Sequence, residues 1–210
     1  MTCITLILAG TSAERWRFWI ARRCVKRPFL NVTTLAGVQC ADLERGGIAI
    51  LVAAPDTDAE GLQRLASLAE ERQIFVLGVP LRPVRGLSSA ADVQVEGRGR
   101  ILAARVTVDV LCDLTNSGAV SLGVADLLPH LAAATHLTTW AMEEGEMPPP
   151  AENVDAVLAA FRLTPETTLY DFDQRVAALQ DGFPQDTPLL YTAAPAEGWT
   201  GTRLLLIHGS

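Results

Sequence analysis

The segment Gly118-Ala-Val-Ser-Leu-Gly-Val-Ala-Asp-Leu127 lies between two apolar helical patterns near the middle of the chain. Before it, residues 101–114 are apolar on nearly every helical face, except for Arg105, Asp109 and Asp113 at a spacing of four. A helix with such a narrow polar stripe is typical of burial between two layers or two domains. We therefore predict a long central helix, then a loop, then a second helix that begins inside the quoted segment.

Upstream of the central helix, short apolar runs alternate with helical patterns. Continuous apolar runs, typical of strands that are buried on both faces, occupy residues 3–8, 47–53 and 74–79, and a further short strand is predicted at 29–32. Strands that alternate with helices predict a parallel sheet with helices on both of its faces. The segment 80–99 is rich in Pro, Gly, Ser and Arg, and it predicts an irregular loop.

The chain after the quoted segment is less regular. Strand patterns cover residues 135–142, 189–193 and 202–208, and the last two predict an antiparallel pair. Residues 154–161 predict a short helix. The segment Thr168-Leu-Tyr-Asp171 resembles a capping box, which predicts the start of another helix.

The whole pattern predicts an α/β fold with a parallel doubly wound N-terminal sheet and flanking helices, a central connecting helix, and a smaller α+β C-terminal domain. We place the first domain at residues 1–98, the central helix at 99–117 and the C-terminal domain at 118–210. The 210 residues, 49% of them hydrophobic and 20% charged, have an ordinary globular composition and can bury a core.

Charge and hydropathy argue against several classes of function. The formal net charge of −7 argues against nucleic acid as a partner, because phosphate binding needs an excess of Lys and Arg. No apolar run approaches the roughly 20 residues that a membrane-spanning helix needs. Residues 1–9 carry neither the basic region nor the cleavage site of a secretory signal, so we predict a cytoplasmic protein.

The four cysteines and three histidines are scattered along the chain. Zinc ligands and redox pairs need close spacing, which cysteines at positions 3, 24, 40 and 112 lack. The histidines have no acidic or cysteine neighbour at ligand spacing. We therefore predict no metal site and no cofactor.

The quoted segment resembles the loop with which FtsZ and tubulin-type proteins hydrolyse the nucleotide of the neighbouring subunit, usually Gly-Leu-Ile-Asn-x-Asp-Phe-Ala-Asp-Val. Ser121 lies where the family has Asn, Gly123 lies where it has the first Asp, and only Asp126 matches a catalytic carboxylate. A pair of carboxylates that polarises water cannot work in the same way with one member deleted. The resemblance therefore implies a loop remnant at Ser121, Gly123 and Asp126, with no catalytic residue and no GTPase activity.

The resemblance extends along the chain in the family's order. The matching segments are 48–54, 75–80, 140–146, 168–172, 188–192 and 203–207. Between the strand that corresponds to residues 74–79 and the central helix, the family has a further strand and a helix. At this place the present chain offers only the irregular segment 81–99. The resemblance implies a divergent and shortened FtsZ-like protein, with residues 1–98 as a truncated nucleotide-binding-type domain.

The glycine-rich nucleotide signature of the family is missing. The family has Gly-Gly-Gly-Thr-Gly-Thr-Gly, whose backbone N–H groups approach phosphates, whereas this chain has Ala54-Pro-Asp-Thr-Asp-Ala-Glu60. A second glycine turn is reduced to residues 9–12. The implied remnant of the nucleotide pocket comprises Gly10, Thr11, Ser12, Asp56 and Thr57. Acidic residues are also ordinary at a helix N-terminus, where they cap N–H groups and favour the helix dipole, so that explanation stays open.

Residues 14–27 combine six cations with three aromatic residues in an otherwise acidic chain. One interpretation is a helix whose aromatic stripe faces the core and whose basic face is solvated. The other is a docking surface for an acidic partner or an anionic lipid surface, because Trp and Arg dominate interface energetics. The residues assigned to this surface are Arg15, Arg17, Phe18, Arg22 and Arg23.

Two hypotheses of function follow. The first is a degenerate FtsZ-like protein without GTP hydrolysis, which acts through protein–protein contact with FtsZ or with itself, in self-assembly or in regulation of an FtsZ-type filament. The second is a small-molecule-binding protein or an enzyme on a doubly wound sheet, with its site outside the carboxyl ends of the strands.

Overall fold

The strands of the structure form one sheet. The computed structural model describes residues 4–14, 30–97, 99–115, 122–143, 146, 153–195 and 200–209. Within these residues the strands are β1 (Ile4–Ala9), β2 (Leu30–Thr34), β3 (Ile48–Ala53), β4 (Phe75–Pro80), β5 (Val93–Glu96), β6 (His136–Met142), β7 (Ala156–Leu163), β8 (Leu189–Pro195) and β9 (Gly201–His208). The helices are α1 (Thr11–Glu14), α2 (Ala59–Arg72), α3 (Arg100–Thr115), α4 (Val124–Ala132) and α5 (Leu169–Asp181). Short 3-10 turns cover Cys40–Asp42 and Leu87–Ser89.

The strand order is β2-β1-β3-β4-β5-β6-β9-β7-β8. Strands β1 to β6 pair with one another in parallel, β9 is antiparallel to β6 and β7, and β7 is parallel to β8. Within the described residues, β2 and β8 are therefore the edges of the sheet. The predicted α/β class, with a mostly parallel sheet and flanking helices, is confirmed.

The two faces of the sheet are covered differently. One face packs against α3 and α4 in a single core cluster. Its buried residues come from every strand between β1 and β7 in the strand order. The other face carries two separate clusters, one with α2 over β1, β3 and β4, and one with α5 over β6, β7 and β9. The register Val95↔Leu137↔Ile207 places residues of β5, β6 and β9 on the α3 face, so both smaller clusters lie on the opposite face.

Helix ends form where the sequence supplies capping groups. The Asp58 carboxylate accepts from the backbone N–H groups of Glu60 at 3.3 Å and Gly61 at 2.8 Å, which caps α2. At α5 the Thr168 hydroxyl accepts from the Asp171 N–H, and the Asp171 carboxylate accepts from the Thr168 N–H at 2.9 Å. This reciprocal pair is a capping box, and the prediction made from residues 168–171 is confirmed.

The segment 80–99 is not wholly irregular, so its prediction as a loop was wrong in part. It contains β5, which pairs with β4 through Leu77↔Val93 and with β6 through Val95↔Leu137. Only Val93 and Val95 of this strand are buried, and two buried residues are too few to give a clear alternation in the sequence. The family's strand, which the sequence indicated to be missing here, is therefore present, and the family's helix is absent from the described part of this segment.

Residues 154–161 do not form the predicted helix, because β7 runs through most of them. This strand is fully buried except at its last residue, and a short run that is apolar at every position has no periodicity to separate strand from helix. The predicted antiparallel pair of the last two strands was also wrong. Both strands exist, but β7 lies between β8 and β9 and bonds to each of them.

The polar stripe of α3 faces the strands of the C-terminal half. Arg162 on β7 donates two hydrogen bonds of 2.6 Å to the Asp113 carboxylate, with both side chains buried. Arg203 on β9 forms an ion pair with Asp109. Thus the central helix is buried as predicted, and its acidic residues are neutralised by arginines that come from distant parts of the sequence.

The described part of the chain has no helix that is both long and apolar enough to span a bilayer. The division into domains at residues 98 and 118 remains a prediction. Strand β5 from the first predicted unit pairs with β6 from the last, so the sheet continues across both proposed boundaries.

Candidate functional site

The sheet reverses its direction of winding at β1. From β1 the chain moves to β2 on one side, and β3 pairs on the other side, so β1 and β3 end together. Crevices outside the carboxyl ends of strands at such a point are the usual ligand sites of doubly wound sheets. The residues that follow β1 and β3 are Gly10 to Ser12 and Ala54 to Thr57, which include all five residues of the predicted pocket remnant.

The two loops at this point are held together by hydrogen bonds. The Ala54 N–H donates to the Ala9 carbonyl at 2.9 Å, and the Thr57 hydroxyl lies 3.1 Å from the same oxygen and 2.6 Å from the Ala54 carbonyl. Gly10 has φ +84°, a left-handed conformation that favours glycine. A Cβ at Gly10 would lie 2.5 Å from Asp56 Oδ1. The loop after β3 therefore leaves no space for a side chain at residue 10.

The Asp56 carboxylate occupies the turn that follows β1. Its Oδ2 accepts from the Thr11 hydroxyl at 2.6 Å and from the Thr11 backbone N–H at 2.9 Å. The bond from the Thr11 hydroxyl, and to a smaller extent the bond from the Thr11 N–H, lowers the pKa of Asp56 below its ordinary value of 3.8. Both bonds favour the charged carboxylate. The carboxylate is therefore ionised at neutral pH, and it uses a backbone donor that faces the crevice.

The structure brings Gly10, Thr11, Asp56 and Thr57 into one cluster, and Ser12 follows as an exposed residue of α1. In this cluster the backbone N–H of Thr11 already donates to the Asp56 carboxylate. The neighbouring Pro55 has no N–H to donate. Such an arrangement can hold loops together, but it repels an incoming anion.

The loop remnant is described only in part. Ser121 lies outside the described residues, so its assignment to the loop remnant stays a prediction. Gly123 is the N-cap of α4, and its N–H donates to Asp126 Oδ2 at 2.7 Å. Asp126 is exposed and serves the first turn of its own helix. The predicted interaction residues Arg15, Arg17, Phe18, Arg22 and Arg23 also lie outside the described residues.

A groove that sequence reasoning missed lies where β5 meets β6. Its volume is about 880 Å³, and its lining includes Gln94, Glu96, Arg100, Thr138, Trp140 and His208. These residues come from β5, α3, β6 and β9, which the strand order brings together. The only signal in the sequence was a pair of opposite charges at residues 96 and 100, with Gly97 and Gly99 between them, where the predicted loop meets the predicted central helix.

Comparison with solved structures identifies the fold. A tryptophan-to-tyrosine variant of FtsZ from M. jannaschii superposes with a TM-score of 0.64 at 13% identity, over 100% of this chain and 91% of that one. An empty FtsZ dimer from M. jannaschii gives 0.64 at 10% identity, over 100% and 88%. The chain has the FtsZ-like fold. A GDP-bound monomer of CetZ1 from Haloferax volcanii shares this fold with a TM-score of 0.58 at 9% identity, over 100% and 94% of the two chains.

No protein-family model matches the sequence, and no curated protein matches it. At 9–13% identity the FtsZ-like fold is visible in three dimensions and in the order of a few short segments. The fold predicted from the resemblance is thus confirmed. The loop after β3 carries Asp56, and Asp58 caps the helix that follows. The explanation of the acidic residues in segment 54–60 as ordinary helix-start residues therefore holds for Asp58.

Proposed function

We propose that this chain is a divergent FtsZ-like protein that neither binds nor hydrolyses GTP, and that acts through contact with an FtsZ-type filament or with its own copies. The observation that supports the proposal is the Asp56 carboxylate, which accepts both the N–H and the hydroxyl of Thr11. In a nucleotide-binding turn those donors face a phosphate. Here they face a carboxylate that belongs to the chain.

The loss of nucleotide binding follows from charge and from donors. A phosphate at this turn meets Asp56 at close range, and like charges repel. It also meets Pro55, which has no N–H to offer. Displacing Asp56 would leave the Thr11 donors available but would not restore the glycines whose backbone approaches a phosphate closely.

The loss of hydrolysis follows from the loop before α4. Asp126 is the carboxylate that matches the family's loop, and its Oδ2 accepts from Gly123 N–H at 2.7 Å. Gly123 itself lies where the family has the other carboxylate, and glycine has no side chain to orient water. One carboxylate engaged in a helix cap does not make an acid–base pair.

The partner follows from the assembly mode of this fold. Head-to-tail contacts are heterologous, and they propagate when each subunit presents two complementary faces. A subunit in which the nucleotide-bearing face is altered ends or modulates such a filament. One of the similar solved structures is an FtsZ dimer from M. jannaschii, which supports self-association as the alternative to contact with a filament.

Calorimetry with GTP and with GDP, each in the presence of Mg²⁺, tests the nucleotide part of the proposal. We expect no heat of binding for either nucleotide. The matched variant Asp56→Asn keeps the shape of the side chain and removes its charge, which reports how far the carboxylate alone excludes phosphate. Micromolar binding to the unaltered protein contradicts the proposal, and the chain would then be a nucleotide-dependent protein.

Filament assays test the contact part. The purified protein is added to FtsZ from the same organism, and assembly is followed by light scattering and by sedimentation. We expect the extent of assembly or the filament length to change with the molar ratio of the two proteins. Light scattering combined with size-exclusion chromatography reports self-association of the protein alone. An unchanged FtsZ profile together with a strictly monomeric protein contradicts the proposal.

A further inference from the structure

The groove at β5 and β6 lies on the face of the sheet that the described helices cover at two separate places. On that face, α2 packs over β1, β3 and β4, and α5 packs over β6, β7 and β9. The connection from β4 to β5 contains a single 3-10 turn, Leu87–Ser89, whose buried residue Leu87 belongs to the α2 cluster. Within the residues that the structure describes, the sheet between the two helices is therefore left uncovered.

The size and walls of the groove suit a small molecule. Its volume of about 880 Å³ lies within the range of about 300–1,000 Å³ that is typical of small-molecule sites. Pro80 and Val84 line it on the β4 side, and Trp140 and Leu206 line it on the β6 and β9 side. These residues offer an apolar wall on each side.

Two opposite charges line the same groove. Glu96 ends β5, and Arg100 begins α3 four residues later. Gly97 and Gly99 lie between them: a Cβ at Gly97 would lie 2.5 Å from Thr139 Oγ1, and Gly99 has φ +81°. The carboxylate and the guanidinium belong to residues four positions apart, and both side chains are exposed.

Two other polar groups of the groove, His208 and Thr138, bond to each other. His208 Nδ1 lies 2.9 Å from the Asn153 carbonyl, which only accepts, so Nδ1 carries a proton. In the neutral ring Nε2 then accepts from the Thr138 hydroxyl at 2.8 Å. His136 stacks on His208 at 4.5 Å with the rings parallel, which further fixes this wall. A charged ligand therefore finds its partners at Glu96 and Arg100.

We propose that this groove binds a small zwitterion, either an α-amino acid or a short peptide. Its ammonium group bonds to the Glu96 carboxylate and its carboxylate bonds to the Arg100 guanidinium, while its apolar part packs against Trp140 and Leu206. A ligand with one charge satisfies only one of the two residues. A hydrogen bond to a charged group contributes more than a neutral one, so loss of either partner is expected to weaken binding about tenfold.

The first test uses the unaltered protein. Two-dimensional ¹H–¹⁵N NMR spectra are recorded with a panel of amino acids and dipeptides at ~10 mM, which detects dissociation constants near 1 mM. Each hit is compared with its amine-only and carboxylate-only analogues. We expect shifts at Gln94, Trp140 and Thr138, with the analogues binding about tenfold more weakly. No shift with any member of the panel overturns the proposal, as does an analogue that binds as tightly as the zwitterion.

The second test removes one charge at a time. Glu96→Gln is expected to abolish the advantage of the ammonium group, and Arg100→Gln that of the carboxylate, each with about a tenfold loss of affinity. Glu70→Gln and Arg45→Gln, at exposed positions outside the groove, are the matched controls. Equal affinity in the groove variants and the controls overturns the proposal. Because Asp56 is untouched and no GTP is used, the result is independent of the proposed function.

Discussion

At the scale of single residues, the contact between Thr11 and Asp56 is the feature that supports the proposed loss of nucleotide binding. Two hydrogen bonds from one residue reach one carboxylate oxygen. Both favour the ionised form, which lowers the pKa of Asp56 in the folded state. The stability that this shift contributes is present above the unfolded pKa and is lost as the pH falls through the lowered folded pKa.

Replacing Thr11 by Val tests that contact. Thr11→Val removes the hydroxyl, the larger cause of the shift, and keeps the backbone N–H. We expect the pKa of Asp56 to rise toward 3.8, as measured by a carboxyl NMR titration. Asp171, whose pKa is lowered by Thr168 in the same manner, is the internal control and keeps its value. An unchanged pKa of Asp56 would show that the Thr11 hydroxyl does not bind it in solution.

Gly10 supplies a second prediction. Gly10→Ala imposes a left-handed conformation on a residue with a Cβ and brings that Cβ within 2.5 Å of Asp56. We expect a loss of about 1–3 kcal/mol in the free energy of unfolding, as measured by urea denaturation. Gly46→Ala is the matched control, because Gly46 has φ +71° and no atom within 4 Å of its Cβ position. Equal losses in both variants would show that the close approach of Asp56 adds nothing.

At the scale of elements, the buried pair of Asp113 on α3 and Arg162 on β7 joins the central helix to the C-terminal strands. Asp113→Ala leaves a buried guanidinium without its carboxylate, and we expect a loss of about 3–5 kcal/mol in the free energy of unfolding. The double variant Asp113→Leu with Arg162→Met removes both charges, and we expect it to recover most of that loss. Denaturant unfolding of the three proteins measures both effects. A double variant no more stable than the single one would contradict this account.

The sequence predicts these elements unevenly, for physical reasons. Runs such as Ile48–Ala53 predict buried strands because every position is apolar and the run is short. The same property misleads at Ala156–Leu163, where a strand was predicted as a helix. The four residues of β5 carry too little pattern to be found. The groove was missed with β5, because its walls come from strands that only the tertiary order makes neighbours.

The polar contacts were predicted in part. The stripe at Asp109 and Asp113 indicated a buried helix, but the arginines that neutralise it lie on β7 and β9, far away in the sequence. Asp56 was assigned to the pocket from the family resemblance, because residues 54–60 lie where the family has its glycine-rich signature. Its bonds to Thr11 depend on how β1 and β3 end side by side, which no local pattern encodes.

At the scale of the whole molecule, one short strand joins the two halves of the sheet. Strand β5 pairs with β4 through two residue pairs and with β6 through two more, whereas β3 pairs with β1 and with β4 through six pairs each. Local opening is easiest where few contacts hold a segment. The sheet is therefore expected to open first at its middle.

Hydrogen exchange measures this difference. We expect the backbone amides of β5, such as those of Gln94 and Val95, to exchange faster than those of Ile50 on β3 and Leu205 on β9. All four belong to one sheet, so the comparison separates local opening from global unfolding. Equal protection across the sheet would mean that β5 opens only when the whole molecule unfolds.

The bond between Asp56 and Thr11 also has a consequence for how the turn responds to its surroundings. A ligand attached to its own binding site has an effective concentration set by the chain, typically millimolar for a short flexible connection and higher for a folded one. A dissolved anion with the same intrinsic affinity for the Thr11 donors competes with Asp56 only when its concentration approaches that value. Below it, we expect such an anion to leave the turn unchanged, so that the state of the turn does not follow metabolic supply.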